Sequence, residues 1–243
     1  MALLIVAVIF ARLPYMNYAG DKLVFTPLQI DMTNLDFAGE RLPIDPHMNP
    51  FGREKIEQEL LITHFSLYQF LLYHKYAWGY FPYMDSYFHE VDIPDDFKYL
   101  AVAESGLRND VTSRTGAAGI WQLMPDTARR YGLRVDDEID ERLNFERATR
   151  AAGAYLLHLK NIFQDWTLAA AAYNRGESGL QRDQAAQPQA KTYYNLVLND
   201  ETGNYIYRII AIKYLMQNRW KIFSPEMLGD VFEAPAMKTM TLQ

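Results

Sequence analysis

The chain has 243 residues, of which 49% are hydrophobic and 22% charged, a composition ordinary for a folded protein that can bury a sizeable core. Its formal net charge of −6 provides no basic field, which argues against nucleic acid as a partner. The absence of cysteine excludes disulfides, thiolate metal sites and a cysteine nucleophile.

The chain opens with an unbroken apolar run, MALLIVAVIFA, which is followed at once by Arg12. Such a run is too short to cross a bilayer as a helix. It matches the apolar part of an export signal in length, but no positive segment precedes it and no clear cleavage site follows. Two alternatives stay open for residues 1–12: a signal or anchor with weak membrane association, or a buried helix or trimmed start.

The next segment, residues 13–52, is rich in Pro, Asn, Asp and Gly and shows no sustained periodicity, which predicts an extended arm or surface loop. From Arg53 to about Tyr76 apolar residues recur at helical spacing and predict a first long helix. A shorter aromatic-rich segment, YFPYMDSYFHEV, follows this helix.

A short helix is predicted after Pro94, with Asp95 and Asp96 in capping position and Gly106 as its stop. PDTARRYG, residues 125–132, is another short helix that has proline at its start and glycine at its end. The segment 145–163 predicts a longer helix with one apolar face, formed by Ala148, Ala151, Ala152, Tyr155, Leu156, Leu159 and Phe163.

Two further helices are predicted in the second half of the chain. DWTLAAAAYNRG is an alanine-rich helix that Asp165 caps and Gly176 ends. ETGNYIYRIIAIKYLMQNRW is apolar around most of its circumference, which is typical of a helix at the centre of a bundle. No alternating strand pattern longer than a few residues is visible, so the predicted fold class is all-α.

Glu104 is the most informative residue because it lies on an apolar helical stripe together with Phe97, Leu100 and Ala101. Burial and the negative end of the helix dipole both disfavour a carboxylate there and raise its pKa, which is the state a proton donor needs. The alternative is a structural ion pair with Arg108 or Arg114.

Other polar and aromatic residues accompany this acid in the sequence. If the loop after Glu104 folds back, Trp121 and Gln122 arrive beside the acid, and an acid, an amide and an indole form a sugar subsite. Tyr173 and Asn174 end the alanine-rich helix, and Tyr205 begins the last one. For Trp121, Tyr173 and Tyr205 an ordinary core role is the alternative.

Four stretches together resemble one family in the same order: IPDDFKYLAVAESGL, TSRTGAAGIWQLMPDTARRYGL, AAAAYNRG and ETGNYIYRIIAIKYL. They resemble the soluble lytic transglycosylase and goose-type lysozyme superfamily, and most closely its membrane-bound lytic murein transglycosylase D type. The resemblance covers about half of the chain. It implies a lysozyme-like helical bundle, here with an N-terminal helical arm.

The resemblance also implies roles for single residues. Glu104 would be the catalytic acid and base, and Tyr205 would hydrogen-bond it. The implied substrate-binding residues are Ser105, Gly119, Trp121, Gln122, Tyr173, Asn174 and Tyr205. The chain departs from the family at Arg175, where a small residue is usual, so Arg175 would alter the edge of a subsite or contact a peptide stem.

The implied reaction is cleavage of the β-1,4 bond between N-acetylmuramic acid and N-acetylglucosamine in peptidoglycan, leaving 1,6-anhydromuramoyl ends. A hydrolytic muramidase with the same acid, using Asp110, Glu177 or Glu201 as second carboxylate, and a non-catalytic glycan-binding protein are the alternatives. The substrate implies a location in the bacterial cell envelope.

The predicted organisation has four parts: the segment 1–12, an arm with helices over 13–90, a lysozyme-like catalytic domain over 91–223 and a C-terminal tail over 224–243. The five histidines show no metal-ligand spacing, and no nucleotide or phosphate motif is present. We therefore predict neither a metal nor a cofactor. Peptidoglycan strands are the expected partner, and the sequence identifies no protein partner.

Overall fold

The computed structural model of the protein describes residues 10–19, 22–45 and 47–219. Its helices are α1 (Gly52–Phe65), α2 (Leu67–Glu90), α3 (Phe97–Ser105), α4 (Pro125–Arg130), α5 (Phe145–Phe163), α6 (Trp166–Arg175), α7 (Glu177–Ala185) and α8 (Asp200–Gln217). Its strands are β1 (Phe10–Ala19), β2 (Lys22–Asp31), β3 (Asp36–Phe37) and β4 (Glu40–Arg41). The described residues are mostly helical, so the predicted fold class is confirmed.

The last helix, α8, lies at the centre of the bundle, as its sequence predicts. It packs against α1, α3 and α6. Ile206, Ile209, Ile210 and Leu215 are fully or almost fully buried along it. The four alanines of α6 are all inaccessible, and their small side chains let α5 and α8 approach closely. This packing fixes the position of every side chain that α8 presents to α3.

The helix α3 begins and ends where the sequence predicts. Gly106 follows it in the left-handed region, with φ of 64°, which favours glycine. Asp96 occupies the capping position, but its side chain does not cap the helix. Its carboxylate instead accepts hydrogen bonds from the Ala38 backbone N–H at 2.7 Å and from Lys213 Nζ at 2.8 Å. The N-terminus of α3 is therefore tied to both the β3–β4 turn and α8.

The N-terminal segment corrects the prediction of an extended arm or loop over residues 13–52. β1 and β2 form an antiparallel hairpin in which Phe10 pairs with Asp31 and Ala19 with Lys22. Pro14 and Pro27 lie opposite each other in it. Proline is a poor strand residue and interrupts the alternating pattern by which strands are recognised. The hairpin could therefore not be predicted from the sequence pattern.

The first helical region also differs from its prediction. A single helix was expected over 53–76, but α1 ends at Phe65, and the next residue, Ser66, leaves the helical region with ψ of 52°. α2 then runs through the aromatic-rich segment to Glu90 and contains Pro82 within it. Apolar spacing continues on both sides of Ser66, so periodicity alone could not locate the break.

Residues 1–9 and 220–243 lie outside the described residues. The prediction for the segment 1–12 therefore falls largely outside them, and the predicted tail falls entirely outside. Among the helices of the described part, none combines the length and the apolar character needed to cross a membrane.

Candidate active site

Glu104 occupies the last turn of α3, on the stripe that continues from the buried residues Phe97, Leu100 and Ala101. The residue retains partial exposure to solvent, whereas its neighbours on the stripe have none. A carboxyl group that is largely surrounded by protein and still reachable from solvent can exchange a proton with a ligand. A role in proton exchange would explain why an acid lies on an otherwise apolar face of α3.

The surroundings of Glu104 raise its pKa from 4.5 to about 7. Burial is the largest cause, because it penalises the charged form, and the negative charge of Glu201 acts in the same direction. The hydrogen bond from Tyr205 and the positive charge of Arg208 oppose this shift. The acid and base forms of Glu104 are therefore both populated near neutral pH.

Tyr205 is the direct partner of this acid. Its side chain projects from the second turn of α8, is 2% exposed, and donates a hydrogen bond through its hydroxyl to Glu104 Oε1. Burial and the neighbouring Glu104 raise the pKa of Tyr205 well above its ordinary value, so the hydroxyl stays a donor. The contact predicted between these two residues is present.

The alternative for Glu104 was a structural ion pair with Arg108 or Arg114, but the arginine whose charge acts on Glu104 is Arg208. Arg108 Nε instead lies 3.5 Å from Asp110 Oδ1 in an exposed pair. Arg208 acts on Glu104 through its charge, and its Nε lies 3.4 Å from Oε2 of the buried Glu59. Arg208 comes one turn after Tyr205 on α8. This spacing is visible in the sequence, but it did not by itself assign a role to Arg208.

The raised pKa of Glu104 predicts a pH-dependent cost to stability. The folded pKa exceeds the unfolded one, so the contribution of Glu104 is fully favourable below pH 4.5 and is lost as pH rises to about 7. We expect Glu104→Gln to gain about 3 kcal/mol relative to the native protein between pH 4 and pH 8. Urea unfolding of both proteins at the two pH values measures this, and an unchanged difference would contradict the raised pKa.

Ser105 anchors the loop that follows the acid. Its hydroxyl donates to the Ile120 carbonyl at 2.8 Å and lies 3.2 Å from the Ala101 carbonyl. Within the loop, Thr112 pairs with Ala118 and Ala118 with Leu123 as isolated bridges. The loop therefore folds back onto the end of α3, as predicted. In this structure Ser105 engages the backbone of its own loop.

Gln122 reaches this same loop but is turned toward its backbone. It has φ of 46°, and its Nε2 donates to the Gly119 carbonyl at 2.9 Å and lies 3.4 Å from the Val111 carbonyl. The residue is partly exposed, so its amide remains near the surface of the loop.

Gly119 is placed where no other residue fits. It has φ of 77°, and a Cβ atom built on it would lie 2.1 Å from the Arg142 carbonyl oxygen. Arg142 is buried and ties the loop together, donating from Nη1 to the carbonyls of Gly116 at 2.6 Å and Leu123 at 2.9 Å. The backbone contact and the conformation together explain the glycine.

We expect Gly119→Ala to destabilise the protein by roughly 2–4 kcal/mol, because the methyl group must displace backbone and the residue must keep a strained φ. Gly116→Ala is the matched control, since Gly116 has φ of 90° but nothing within 4 Å of its Cβ position. Urea unfolding should show a clearly smaller loss for this control. Equal losses in the free energy of unfolding would mean that the contact with the Arg142 carbonyl does not contribute to the destabilisation.

The structure corrects the expected role of Trp121 as a sugar-stacking residue. Its side chain is fully buried, and Nε1 donates to Thr149 Oγ1 at 2.9 Å. The Phe88 ring packs edge-on against it, with centroids 5.9 Å apart. An indole with no exposed face cannot stack on a sugar, so Trp121 supports the site from the core.

A substitution separates the two roles of Trp121. We expect Trp121→Phe to lower the free energy of unfolding by about 2 kcal/mol, through the lost hydrogen bond and the smaller ring. Its affinity for glycan, measured by titration with soluble glycan fragments, should stay within about twofold of native. A large loss of glycan affinity with unchanged stability would restore the stacking role.

Tyr173 and Asn174 lie at the end of α6 on the other side of the loop. The Tyr173 hydroxyl donates to the Trp121 carbonyl at 2.7 Å, and the negative charge of Glu104 is among the causes that raise its pKa. Asn174 links α6 to α8, because its Nδ2 donates to Glu201 Oε1 at 3.1 Å and its Oδ1 accepts from Thr202 Oγ1 at 2.8 Å. The structure thus brings the ends of α3 and α6 and the start of α8 together.

The three candidate second carboxylates, Asp110, Glu177 and Glu201, have different partners in the structure. Glu201 is close enough for its charge to raise the pKa of Glu104. Glu177 pairs with His158 at 2.9 Å, and Asp110 pairs with Arg108. Arg175 Nε is engaged with Asp183 Oδ2 at 2.8 Å, between α6 and α7. Of the three acids, Glu201 is the one that shares the site with Glu104.

Sequence reasoning missed Thr202, Arg208, Arg142 and Thr149. Each acts through a contact or charge from another element. Thr202 and Arg208 lie in the quoted stretch ETGNYIYRIIAIKYL, but the sequence alone gave them no role. Within the described residues, no group of three or more His, Asp or Glu side chains could hold a metal ion.

Comparison with known proteins relates this helical site to one family. The family model for the transglycosylase SLT domain matches residues 91–196, which include Glu104, Gln122 and Asn174. Residues 91–196 are therefore similar to the transglycosylase SLT domain, in agreement with the resemblance found in the sequence.

Three curated relatives are similar to part of this chain. Membrane-bound lytic murein transglycosylase D of Escherichia coli (strain K12) is 32% identical over 131 residues, covering 52% of this chain and 29% of that protein. Peptidoglycan transglycosylase gp16 of Escherichia phage T7 is 34% identical over 123 residues, covering 49% of this chain and 9% of that protein. A putative tributyltin chloride resistance protein of Alteromonas sp. (strain M-1) is 30% identical over 92 residues, covering 37% and 44%. The chain thus matches less than half the length of each relative.

Proposed function

We propose that this chain is a lytic transglycosylase that cleaves the β-1,4 bond between N-acetylmuramic acid and N-acetylglucosamine in peptidoglycan. The observation that carries the proposal is Glu104, a desolvated acid with a pKa of about 7 that is held by Tyr205 at the end of a helix. The similarity to the SLT domain and the names of two relatives, a lytic murein transglycosylase and a peptidoglycan transglycosylase, support the same class.

In the proposed reaction protonated Glu104 donates its proton to the glycosidic oxygen as the bond to C1 breaks. The acetamido group of the substrate stabilises the positive charge that develops at C1. Glu104, now a carboxylate, removes the proton from the muramoyl 6-hydroxyl, whose oxygen forms the new bond to C1. The acid is restored, a 1,6-anhydro end forms, and no water is consumed.

A pKa close to neutral suits both halves of this cycle, because one group must give up a proton and then take one back. Tyr205 fixes the orientation of the carboxyl group, and Asn174 and Tyr173 frame the opposite side of the site. In this proposal Ser105 and Gly119 hold the loop beside the substrate, and the Gln122 amide meets it. Trp121 contributes only by supporting that loop.

A hydrolytic muramidase is the second candidate, and the position of Glu201 is the observation that favours it. A hydrolase of this kind uses a second carboxylate to activate water. Glu201 acts electrostatically on Glu104, but its Oε1 accepts a hydrogen bond from Asn174. That engagement favours a positioning role for Glu201 over a base that binds water.

Digestion of purified peptidoglycan in water enriched in oxygen-18 distinguishes these candidates. We expect the released muropeptides to be one water lighter than hydrolytic products and to carry no label. Labelled reducing ends would establish a muramidase, and release of nothing, with glycan binding retained, would leave a glycan-binding protein.

We further propose that residues 91–223 form the catalytic domain and that residues 13–90 pack against it. Within the described residues, contacts of α1 with α8 and of α2 with α3 and α5 support this packing of the two parts against each other. The substrate class argues for action in the bacterial cell envelope.

A further inference from the structure

A second cavity lies beside the first turn of α8, away from Glu104. It has a volume of about 410 Å³ and opens between the segment 47–51, which precedes α1, and the segment 193–198, which precedes α8. We call it the lateral pocket. The catalytic chemistry proposed above does not use it.

The walls of the lateral pocket are joined by hydrogen bonds. Asn195 Nδ2 donates to the Met48 carbonyl at 2.8 Å, which fastens the two segments to each other. Asn49 is 4% exposed and exchanges hydrogen bonds with the Tyr207 hydroxyl, with distances of 2.9 and 3.1 Å. These contacts hold the pocket open in one shape before a ligand arrives.

The lining of the lateral pocket combines apolar groups with one cation. Met48, Phe51 and Val197 are 59%, 63% and 81% exposed, so three apolar side chains surround the opening. Among the described lining residues, Lys55 is the one that carries an ammonium group, and none carries a carboxylate. In a chain of net charge −6, a cavity that contains an ammonium and no carboxylate is suited to a ligand with a free carboxylate.

The position of Lys55 fits this role. Its Nζ donates to the Gly203 carbonyl at 2.8 Å and lies 5.4 Å from the centre of the Tyr207 ring. Partial burial lowers the pKa of Lys55, and only Asp200, outside the pocket lining, opposes this. An ammonium with this limited compensation gains from a ligand carboxylate.

The lateral pocket connects to the active site through Thr202. The Thr202 carbonyl accepts a hydrogen bond from the hydroxyl of Tyr193, which lines the pocket, at 2.7 Å. The Thr202 hydroxyl donates to Asn174 Oδ1, and Glu201 precedes it in the chain. These hydrogen bonds join the wall of the pocket to Asn174 at the end of α6.

We propose that the lateral pocket binds the peptide stem of a peptidoglycan strand, with Lys55 taking a stem carboxylate and Met48, Phe51 and Val197 covering its small apolar side chains. This inference rests on the proposed function for its substrate. Stem peptides carry free carboxylates and methyl groups on a flexible chain, which is the combination that the lining offers.

The test compares two substrates that differ only in their stems. Native glycan strands and strands stripped of stems by an amidase are digested with the native protein and with the double variant Phe51→Ser and Val197→Ser. Tyr68→Ser is the matched control, because Tyr68 is an apolar surface residue, 76% exposed, that does not line the pocket. Formation of 1,6-anhydromuramoyl ends, which both substrates can give, is measured as kcat/KM for each protein and each substrate.

We expect the native protein and the control to prefer stem-bearing strands by about tenfold, and the double variant to lose this preference while its rate on stem-free strands is unchanged. Equal rates of the native protein on both substrates would overturn the proposal. So would an equal loss by the double variant on both substrates, since this would indicate a role in folding or in sugar binding.

A direct binding measurement keeps this inference separate from the proposed function. A synthetic stem tetrapeptide is titrated into the native protein and into Lys55→Met, and the affinity is measured by titration calorimetry. Binding by the native protein that weakens about tenfold in the variant supports the proposal even if no anhydro product is ever released. Absence of binding to the native protein, with transglycosylase activity present, overturns the pocket and leaves the proposed function intact.

Discussion

Glu104→Gln is expected to lower the rate of muropeptide release by about 10³-fold, because the amide can neither donate the proton to the glycosidic oxygen nor accept one from the 6-hydroxyl. The substitution preserves the size of the side chain and leaves an acceptor for the Tyr205 hydroxyl, whose hydrogen bond to Oε1 is present in the native structure. The loss should therefore fall on kcat, with glycan affinity retained.

The matched control is Glu90→Gln, which makes the same chemical change at an exposed residue at the end of α2. This variant should keep the native rate. Activity of Glu104→Gln within about tenfold of native would exclude Glu104 as the acid. Unfolding of the variant is not expected, since removing an acid with a raised pKa relieves a cost at neutral pH.

Tyr205→Phe is expected to have the second largest effect and to change the pH profile as well as the rate. The Tyr205 hydroxyl stabilises the charged form of Glu104, so its removal raises the pKa of Glu104 above about 7. The first step needs the protonated acid, and activity falls as pH rises through this pKa. The alkaline limb of the profile should therefore move to higher pH in the variant.

The rate of Tyr205→Phe at its own optimum should fall by about 10- to 30-fold, since a hydrogen bond to a charged group is lost and the carboxyl group is less well oriented. Tyr99→Phe provides the control, because Tyr99 is a buried tyrosine of α3 whose hydroxyl interacts with Gln217. A pH profile of Tyr205→Phe that coincides with the native one, whatever its rate, would contradict the coupling between the two residues.

The sequence was most informative where local signals agree with tertiary packing. Pro94 and Gly106 bound α3, and the apolar stripe inside it places Glu104 at its end. The apolar face predicted for 145–163 is the buried face of α5, and Asp165 caps α6 through the Leu168 N–H at 2.7 Å. Caps, periodicity and small residues are short-range properties, and they transfer directly from sequence to structure.

The sequence was least informative where a residue serves a distant element. Asp96 sits in a capping position but bonds to Ala38 and Lys213, because two remote N–H groups compete successfully for its carboxylate. Trp121 was predicted to lie beside Glu104, yet its indole turns toward α5 and donates a hydrogen bond to Thr149. The effect of Arg208 on Glu104 arises only once α1, α3 and α8 are packed.

The N-terminal region illustrates a third limit. Its prolines and turn-forming residues predict a loop, and the hairpin of β1 and β2 becomes visible only through pairing between the two strands. Strand pairing depends on a partner segment, so it leaves a weaker trace in sequence than helical periodicity does. The lateral pocket has the same origin, since its two walls are 147 residues apart where Asn195 meets Met48.

The most direct test of this account is the titration of Glu104 itself, followed by carbon-13 NMR of the glutamate side-chain carboxyl carbons with Glu104→Gln to assign its signal. We expect a midpoint at about pH 7 in the native protein and a higher midpoint in Tyr205→Phe. A midpoint near 4.5 would mean that Glu104 is an ordinary carboxylate at neutral pH, and it would contradict the role of proton donor on which the proposed function depends.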